Sequence, residues 1–111
     1  MATGTATGST ERRCFRRLSV AEGLLAVDVA TGSVALAKGS VHDISRGGVL
    51  VTLAEVPVDA TGAGHCIVRF HDGDRHVQPS VSRGTIRRKG LAGRGVRLAI
   101  EFSEPLVVVE V

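Results

Sequence analysis

From Leu18 onward, apolar residues occur in short runs of about five to ten positions that are separated by glycine, aspartate and proline. Within these runs apolar and polar residues alternate, most clearly in residues 95–102, which read Gly-Val-Arg-Leu-Ala-Ile-Glu-Phe. A period of two is typical of a strand that buries one face. No segment repeats apolar residues every 3.6 positions over the length of a helix. The pattern therefore predicts strands and few or no helices.

Six strands are predicted, over residues 20–29, 34–42, 49–53, 65–70, 75–87 and 95–102. Thr-Gly at 31–32 and Asp-Gly at 72–73 are typical turn sequences between such strands. Pro79 falls inside the fifth strand, where we expect an edge or a bulge because proline cannot donate to a ladder. The last residues, 106–111, are apolar and β-branched, and the pattern leaves open whether they form a strand or a helix.

The fold class that this order of elements favours is all-β, a small six-stranded antiparallel β-barrel. Closure into a barrel leaves no long unpaired strand edge. A chain of 111 residues with 43% hydrophobic and 23% charged residues is typical of one globular domain. Residues 1–10 are small, polar and uncharged, and we expect a flexible tail there, followed by a single domain over residues 11–111.

Two cysteines, Cys14 and Cys66, lie far apart in a chain that shows no charged leader followed by an apolar run and a cleavage site. We expect a reduced, cytoplasmic protein whose thiols have packing or surface positions. No apolar run approaches the roughly 18 residues of a membrane span, and no membrane insertion is expected.

The net charge of +3 is distributed unevenly. Residues 11–17 carry four arginines and one glutamate, and residues 83–97 carry six basic residues and no acid. Residues 18–82 between them hold four basic and seven acidic residues. A local positive field favours a discrete phosphate ligand over a long polyanion. The segment 83–97 nevertheless leaves a small barrel that binds nucleic acid as the alternative.

Two short motifs carry the candidate chemistry. Residues 11–17 read Glu-Arg-Arg-Cys-Phe-Arg-Arg, in which Arg13 and Arg17 form an RxxxR motif. Residues 43–48 read Asp-Ile-Ser-Arg-Gly-Gly, which is a DxSxxG motif. Taken singly, the first is typical of a solvated basic arm and the second of a turn between strands. Their order and their separation are harder to obtain by accident.

The paired motifs resemble the PilZ domain family, whose members bind the bacterial second messenger cyclic di-GMP. Gly-Thr-Ile-Arg-Arg at 84–88 and the strand at 95–102 also resemble the last two strands of that family. The resemblance covers roughly residues 11–104, and it implies a split β-barrel of PilZ type. PilZ domains often close with a helix, whereas residues 106–111 are too short and too β-branched to predict one.

The resemblance implies that cyclic di-GMP is bound by Arg12, Arg13, Arg17, Asp43, Ser45 and Gly48, with Arg16, Arg46 and Gly47 as secondary candidates. Arginine suits this ligand because its planar fork donates two hydrogen bonds to a phosphate or to the O6/N7 edge of guanine. A carboxylate accepts from guanine N1 and N2, the serine hydroxyl can bond a base edge or the local backbone, and the glycines permit a special turn conformation or a close approach.

The RxxxR motif can be read in two registers. Arg13 and Arg17 form the first, with Arg12 directly before it, and in the family an arginine at that position is associated with a stacked pair of ligand molecules. Arg12 and Arg16 form the second register, which stays open.

The sequence offers no constellation for catalysis or for a metal. The histidines and cysteines lack CxxC and HxxxH spacings, and there is no nucleophile elbow or Walker loop. We expect a binding module without cofactor. In this hypothesis the arm 11–17 becomes ordered on the ligand, and an unidentified effector protein reads the change. A PilZ-fold adaptor that binds no nucleotide is the remaining alternative.

Overall fold

The computed structural model describes residues 15–21, 23–31, 37–54, 64–71 and 76–110. Apart from His76, which is helical, the elements assigned within these ranges are strands: β1 (Leu18–Ser19), β2 (Ala26–Thr31), β3 (Ala37–Ile44), β4 (Gly48–Leu53), β5 (Gly64–Phe70), β6 (Val77–Gln78), β7 (Val81–Ala92), β8 (Gly95–Phe102) and β9 (Val108–Val109). Within the same ranges no helix is long and apolar enough to cross a membrane.

Six of the strands close into an antiparallel barrel. Their order is β3-β2-β5-β7-β8-β4, and β4 pairs back with β3. The short β1 adds to the outer side of β3, where Leu18 pairs with Ile44. A separate two-stranded sheet is formed by β6 and β9. The prediction of an all-β, six-stranded antiparallel barrel is confirmed.

The limits of three predicted strands were wrong, and one of these strands, predicted over residues 34–42, continues to Ile44. The strand predicted over residues 20–29 begins only at Ala26, although Val20 and Leu25 before it are buried. The strand predicted over residues 75–87 is divided into β6 and β7, and it continues to Ala92. Pro79 follows Gln78 through a cis peptide bond and lies between the two strands, so the edge or bulge expected there was also wrong. Proline has no N–H for a ladder, which explains the interruption.

The barrel interior is filled by aliphatic side chains that alternate along the strands, as the composition predicted. Its fully buried members include Val27, Val29, Val41, Val51, Val68, Val96 and Leu98. Phe70 and Phe102 meet edge to face, with ring centroids 6.2 Å apart. Cys66 is a buried free thiol, and the loss of solvent raises its pKa to about 11. It is thus a packing residue, as expected.

The C-terminal segment packs against the barrel core. Leu106 is fully buried in the core, and β9 pairs with β6 through Val109 and Val77. The state that the sequence left open for this segment is therefore a short strand. We call residues 106–110 the C-terminal strap.

Candidate ligand-binding site

A β-bulge in β3 exposes the first residue of the DxSxxG motif. The pairing of β3 with β4 shifts register between Val41 and Asp43, so that His42 is an extra residue. Val41 and Ile44 are buried, whereas His42 and Asp43 between them are partly exposed. Strict alternation would have directed Asp43 to the core together with Val41. The bulge places both His42 and Asp43 on the outer surface instead.

Arg17 and Asp43 join the two motifs. The Arg17 Nη1 donates to Asp43 Oδ1 at 3.1 Å, across 26 residues of sequence. The arginine side chain is 67% exposed and the aspartate 22% exposed. The pair is held in place because β1, which begins directly after Arg17, pairs with β3, with Ser19 opposite Asp43.

Ser45 shapes the turn between β3 and β4. Its hydroxyl accepts hydrogen bonds from the backbone N–H groups of Gly47 at 3.1 Å and Gly48 at 3.2 Å. Its own N–H donates to the Gly48 carbonyl at 2.8 Å, and the residue is buried. Of the two roles that the sequence allowed for this hydroxyl, the structure shows the local backbone one.

Close packing against neighbouring backbone requires glycine at position 48, whereas at position 47 the close neighbour is a side chain. Both glycines lie outside the left-handed region, which in the described ranges is occupied by Gly23, Gly64 and Gly93. A Cβ at Gly48 would lie 2.7 Å from the carbonyl oxygen of Ile100 on the neighbouring strand. A Cβ at Gly47 would lie 2.9 Å from the ring of Phe15. The expectation of a special turn conformation was wrong for these two residues.

Arg46, at the tip of the same turn, makes two contacts with its side chain. Its Nε donates to the Leu106 carbonyl at 2.7 Å. Its guanidinium carbon lies 5.1 Å from the centroid of the Phe15 ring, within the range of a cation–π contact. These contacts use the Nε–H group and one face of the guanidinium, and the residue as a whole is exposed.

A groove of about 850 Å³ runs along the outer surface beside this turn. It is lined by Phe15, Arg17, Ser45, Gly47, Gly48, Val49, Leu50, Arg87, Arg88, Ala99, Ile100, Glu101, Phe102, Ser103 and Pro105. A volume of this size is typical of sites for small-molecule ligands.

One row of side chains crosses four strands at the groove. Asp43 on β3 pairs with Leu50 on β4, Leu50 with Ala99 on β8, and Ala99 with Arg88 on β7. Paired residues point to the same face of a sheet, and adjacent strands are about 4.8 Å apart, so the row spans about 14 Å along the surface. A carboxylate stands at one end, a guanidinium at the other, and two apolar side chains lie between them.

A second β-bulge, in β7, places two arginines on the side of the groove away from Asp43, which we call the far wall. The pairing of β7 with β8 shifts register between Ile86 and Arg88, so that Arg87 is an extra residue and both arginines stand opposite Ala99. Arg87 contacts Glu101, at 2.6 Å from both Nε and Nη2 to Oε1. This ion pair fixes the Arg87 guanidinium beside the groove.

Arg87 and Arg88 were missed as site residues by sequence reasoning. Their charge was visible in the basic segment 83–97, but that segment was assigned only to the nucleic-acid alternative. The available signal was two adjacent arginines where the predicted strand ended at Arg87, since in a strand that continued through Arg88 strict alternation would have directed one of them into the core.

The predicted site residues are placed as follows. Four of them line the groove, and these are Arg17, Ser45, Gly47 and Gly48. Asp43 and Arg46 do not line it, and each contacts a residue that does, Arg17 and Phe15 respectively. Arg16 is exposed and does not line the groove. Arg12 and Arg13 lie outside the described residues.

Most of the charged side chains that line the groove are basic. Its lining contains Arg17, Arg87 and Arg88 against the single carboxylate of Glu101. Within the described ranges no group of three histidine, cysteine, aspartate or glutamate side chains could hold a metal ion. The arrangement is suited to binding an anionic ligand through hydrogen bonds and charge.

No family model matches the chain, and no curated protein matches it in sequence. Among solved structures it is similar to the PilZ domain with c-di-GMP of YcgR from Escherichia coli. The TM-score is 0.59 at 18% sequence identity, over 83% of this chain and 78% of that one. At this identity the similarity shows the fold. The chain has the fold of a PilZ domain, as the resemblance of its motifs implied.

Proposed function

We propose that this protein is a receptor domain that binds cyclic di-GMP in the groove and signals to a partner protein. The observation that carries the proposal is the contact of Arg17 with Asp43 at 3.1 Å, because it brings the RxxxR and DxSxxG motifs together at one end of a basic groove. The PilZ fold of the chain supports the same function.

The near end of the groove has the groups that a guanine nucleotide needs. Arg17 is 67% exposed and can turn its planar fork to a phosphate or to the O6/N7 edge of guanine. Asp43 then becomes available to accept hydrogen bonds from guanine N1 and N2. In this hypothesis Ser45 and Gly48 hold the turn in shape and allow the ligand to approach the backbone.

The floor and the far wall suit the rest of the ligand. Leu50 and Ala99 form a small apolar surface on which the face of a base can lie. Arg87 and Arg88 stand beyond it and can contact a phosphate or a second base. Cyclic di-GMP has two phosphates and two guanines, and the groove offers arginines at both ends.

The placement of the arm favours one register of the RxxxR motif. Arg17 lines the groove and Arg16 does not, which supports pairing Arg17 with Arg13 over pairing Arg16 with Arg12. In this register Arg12 directly precedes the motif, and we propose that it contributes to binding a stacked pair of ligand molecules.

We further propose that the arm 11–17 becomes ordered when its arginines engage the ligand, and that an effector protein reads the altered surface. Under this proposal the protein is a cytoplasmic binding module with no catalytic step of its own.

Phe70 and Phe102 are buried, and Phe15 is the one phenylalanine that is partly exposed, which weakens the nucleic-acid alternative. Single-strand binders stack bases on exposed aromatic rings. Phe70 and Phe102 are buried against each other, and Phe15 packs on the turn at Gly47. The basic residues Arg87 and Arg88 belong to a groove of ligand size rather than to a long track.

Isothermal titration with cyclic di-GMP tests the proposal. We expect saturable binding that is lost or weakened at least about tenfold in Arg17→Ala and in Asp43→Ala, since each loses a hydrogen bond to a charged group. The matched control is Arg83→Ala, which removes an arginine of β7 outside the groove lining and is expected to bind as the wild type does.

Three further titrations separate the alternatives. Cyclic di-AMP, whose adenines lack the O6 acceptor and the N1 donor, should bind much more weakly than cyclic di-GMP. Two ligands per chain would support the role of Arg12. Tighter binding of a single-stranded oligonucleotide than of cyclic di-GMP would overturn the receptor hypothesis in favour of nucleic acid, and no binding of either would favour the adaptor without nucleotide.

A further inference from the structure

Arg46 connects two segments that lie far apart in sequence. Its backbone carbonyl accepts a hydrogen bond from the Leu106 N–H at 2.7 Å, and its side-chain Nε donates to the Leu106 carbonyl at 2.7 Å. Both hydrogen-bonding groups of the Leu106 backbone are therefore satisfied by one residue. The second bond has a charged donor and is the stronger kind.

The same guanidinium reaches the arm on its other side. Its central carbon is 5.1 Å from the centroid of the Phe15 ring, and that ring packs against the backbone of Gly47. Phe15 lies between Arg13 and Arg17 in sequence, and one residue separates it from each of them. A change in the arm therefore alters the surroundings of the Arg46 guanidinium directly.

Leu106 anchors the whole strap. Its side chain is fully buried in the core, and the residues that follow it are hydrogen-bonded to the segment around β6. Val107 N–H donates to the Gln78 carbonyl at 2.7 Å, and Glu110 N–H donates to the His76 carbonyl at 2.7 Å. A shift at Leu106 is thus transmitted to the pairing of β6 with β9.

We propose that Arg46 is a positioning residue that couples the arm to the C-terminal strap, so that a ligand that orders the arm also stabilises the strap. The identity of that ligand rests on the proposed function. The coupling between the arm and the strap does not depend on that identity. Coupling is reciprocal in free energy, so a strap held by a partner protein would also stabilise the arm and raise ligand affinity.

The coupling is tested first without ligand, by amide hydrogen exchange of Leu106, Val107 and Glu110. Phe15→Ala should raise their exchange rates about two- to fivefold, the range that a single cation–π contact accounts for. In an Arg46→Ala background the same change should have no further effect, because the connection is already absent. Arg16→Ala is the control, since Arg16 is exposed and is not part of the contact between Arg46 and Phe15, and it should leave exchange unchanged.

An equal effect of Phe15→Ala in both backgrounds, or none in the wild type, would overturn the proposal. If Arg46→Ala does not fold, Arg46→Lys replaces it in the same cycle. Lysine keeps a charge beside the ring but has no planar fork and no Nε–H, so the Phe15 effect should be smaller than in the wild type.

Cyclic di-GMP is added in the second stage. We expect it to slow the exchange of the strap amides in the wild type and to leave them unchanged in Arg46→Ala, even where titration shows that this variant still binds. Binding without slowing in the wild type would contradict the coupling. Absence of binding would contradict the proposed function alone, because the exchange measurements without ligand test the role of Arg46 independently.

Discussion

The Arg17 guanidinium lies 3.1 Å from the Asp43 carboxylate, although 26 residues separate them in sequence. Each residue belongs to a different motif, and the contact joins Arg17 to β3 beside the groove. The arginine is 67% exposed, so the contact can be exchanged for one with a ligand at little cost. This is the arrangement expected of a site that is partly formed before its ligand arrives.

The first prediction separates the binding role of Arg17 from a structural one. Arg17→Ala should change the free energy of unfolding by less than about 1 kcal/mol, because exposed ion pairs contribute little. Chemical denaturation measures this change beside the titration with cyclic di-GMP. A loss of stability as large as the loss in binding free energy would show that Arg17 acts by holding the fold.

The second prediction concerns the reason for glycine at position 48. Gly48→Ala should destabilise the barrel by about 1–3 kcal/mol, because the added Cβ would lie 2.7 Å from the Ile100 carbonyl oxygen on β8. The matched control is Gly90→Ala on β7, where a Cβ meets nothing within 4 Å. Thermal and denaturant unfolding check both variants, and an unchanged stability of Gly48→Ala would contradict the steric explanation.

The third prediction tests the far wall of the groove. Arg87→Ala and Arg88→Ala should each weaken the binding of cyclic di-GMP roughly tenfold, as expected for one lost hydrogen bond from a charged donor. Arg83→Ala on the same strand again provides the control of equal charge. Affinities that are the same for all three variants would remove Arg87 and Arg88 from the site.

The fourth prediction is a dependence of stability on pH that arises away from the groove. Asp28 on β2 is buried, and the hydrogen bonds from His71 at 2.8 Å and Arg69 at 3.0 Å hold its pKa below the ordinary value of 3.8. A lowered pKa in the folded state means that the unfolded chain binds the proton more readily. The stabilisation is therefore present above about pH 4 and is lost as the pH falls through the folded-state pKa.

Denaturation at several pH values between 2 and 7 measures this effect. Asp28→Asn should be less stable than the wild type at pH 7 and should lose less stability on acidification. The control is Glu104→Gln, which removes an exposed carboxylate and should leave the acid dependence as it is in the wild type. A wild-type acid slope that persists in Asp28→Asn would show that other groups cause it.

Much of the fold follows from local pattern. Alternation along residues 95–102 identified β8 because a strand that buries one face must alternate, and this holds whatever the strand pairs with. An aliphatic core followed equally from a composition with three phenylalanines and no tryptophan or tyrosine. The two motifs indicated Arg17, Ser45 and Gly48, which the structure brings to one groove.

The two β-bulges could not be predicted from the local sequence pattern. Each inserts one residue into a strand without changing its composition, and the register depends on the partner strand. The bulge at His42 places Asp43 outside, and the one at Arg87 places both arginines opposite Ala99. The interruption of the predicted fifth strand at Pro79 follows from the missing N–H, but only the fold decided that β6 pairs with β9 and β7 with β5.

The sequence by itself determined the class of fold and the residue types of the core, because these depend on the types and spacing of neighbouring residues. Only the tertiary structure decided which outward side chains meet. Arg46 contacts Leu106 across 60 residues, and Asp43 and Arg88 share a row that crosses four strands. Such contacts are set by barrel closure and strand register, which are properties of the whole chain.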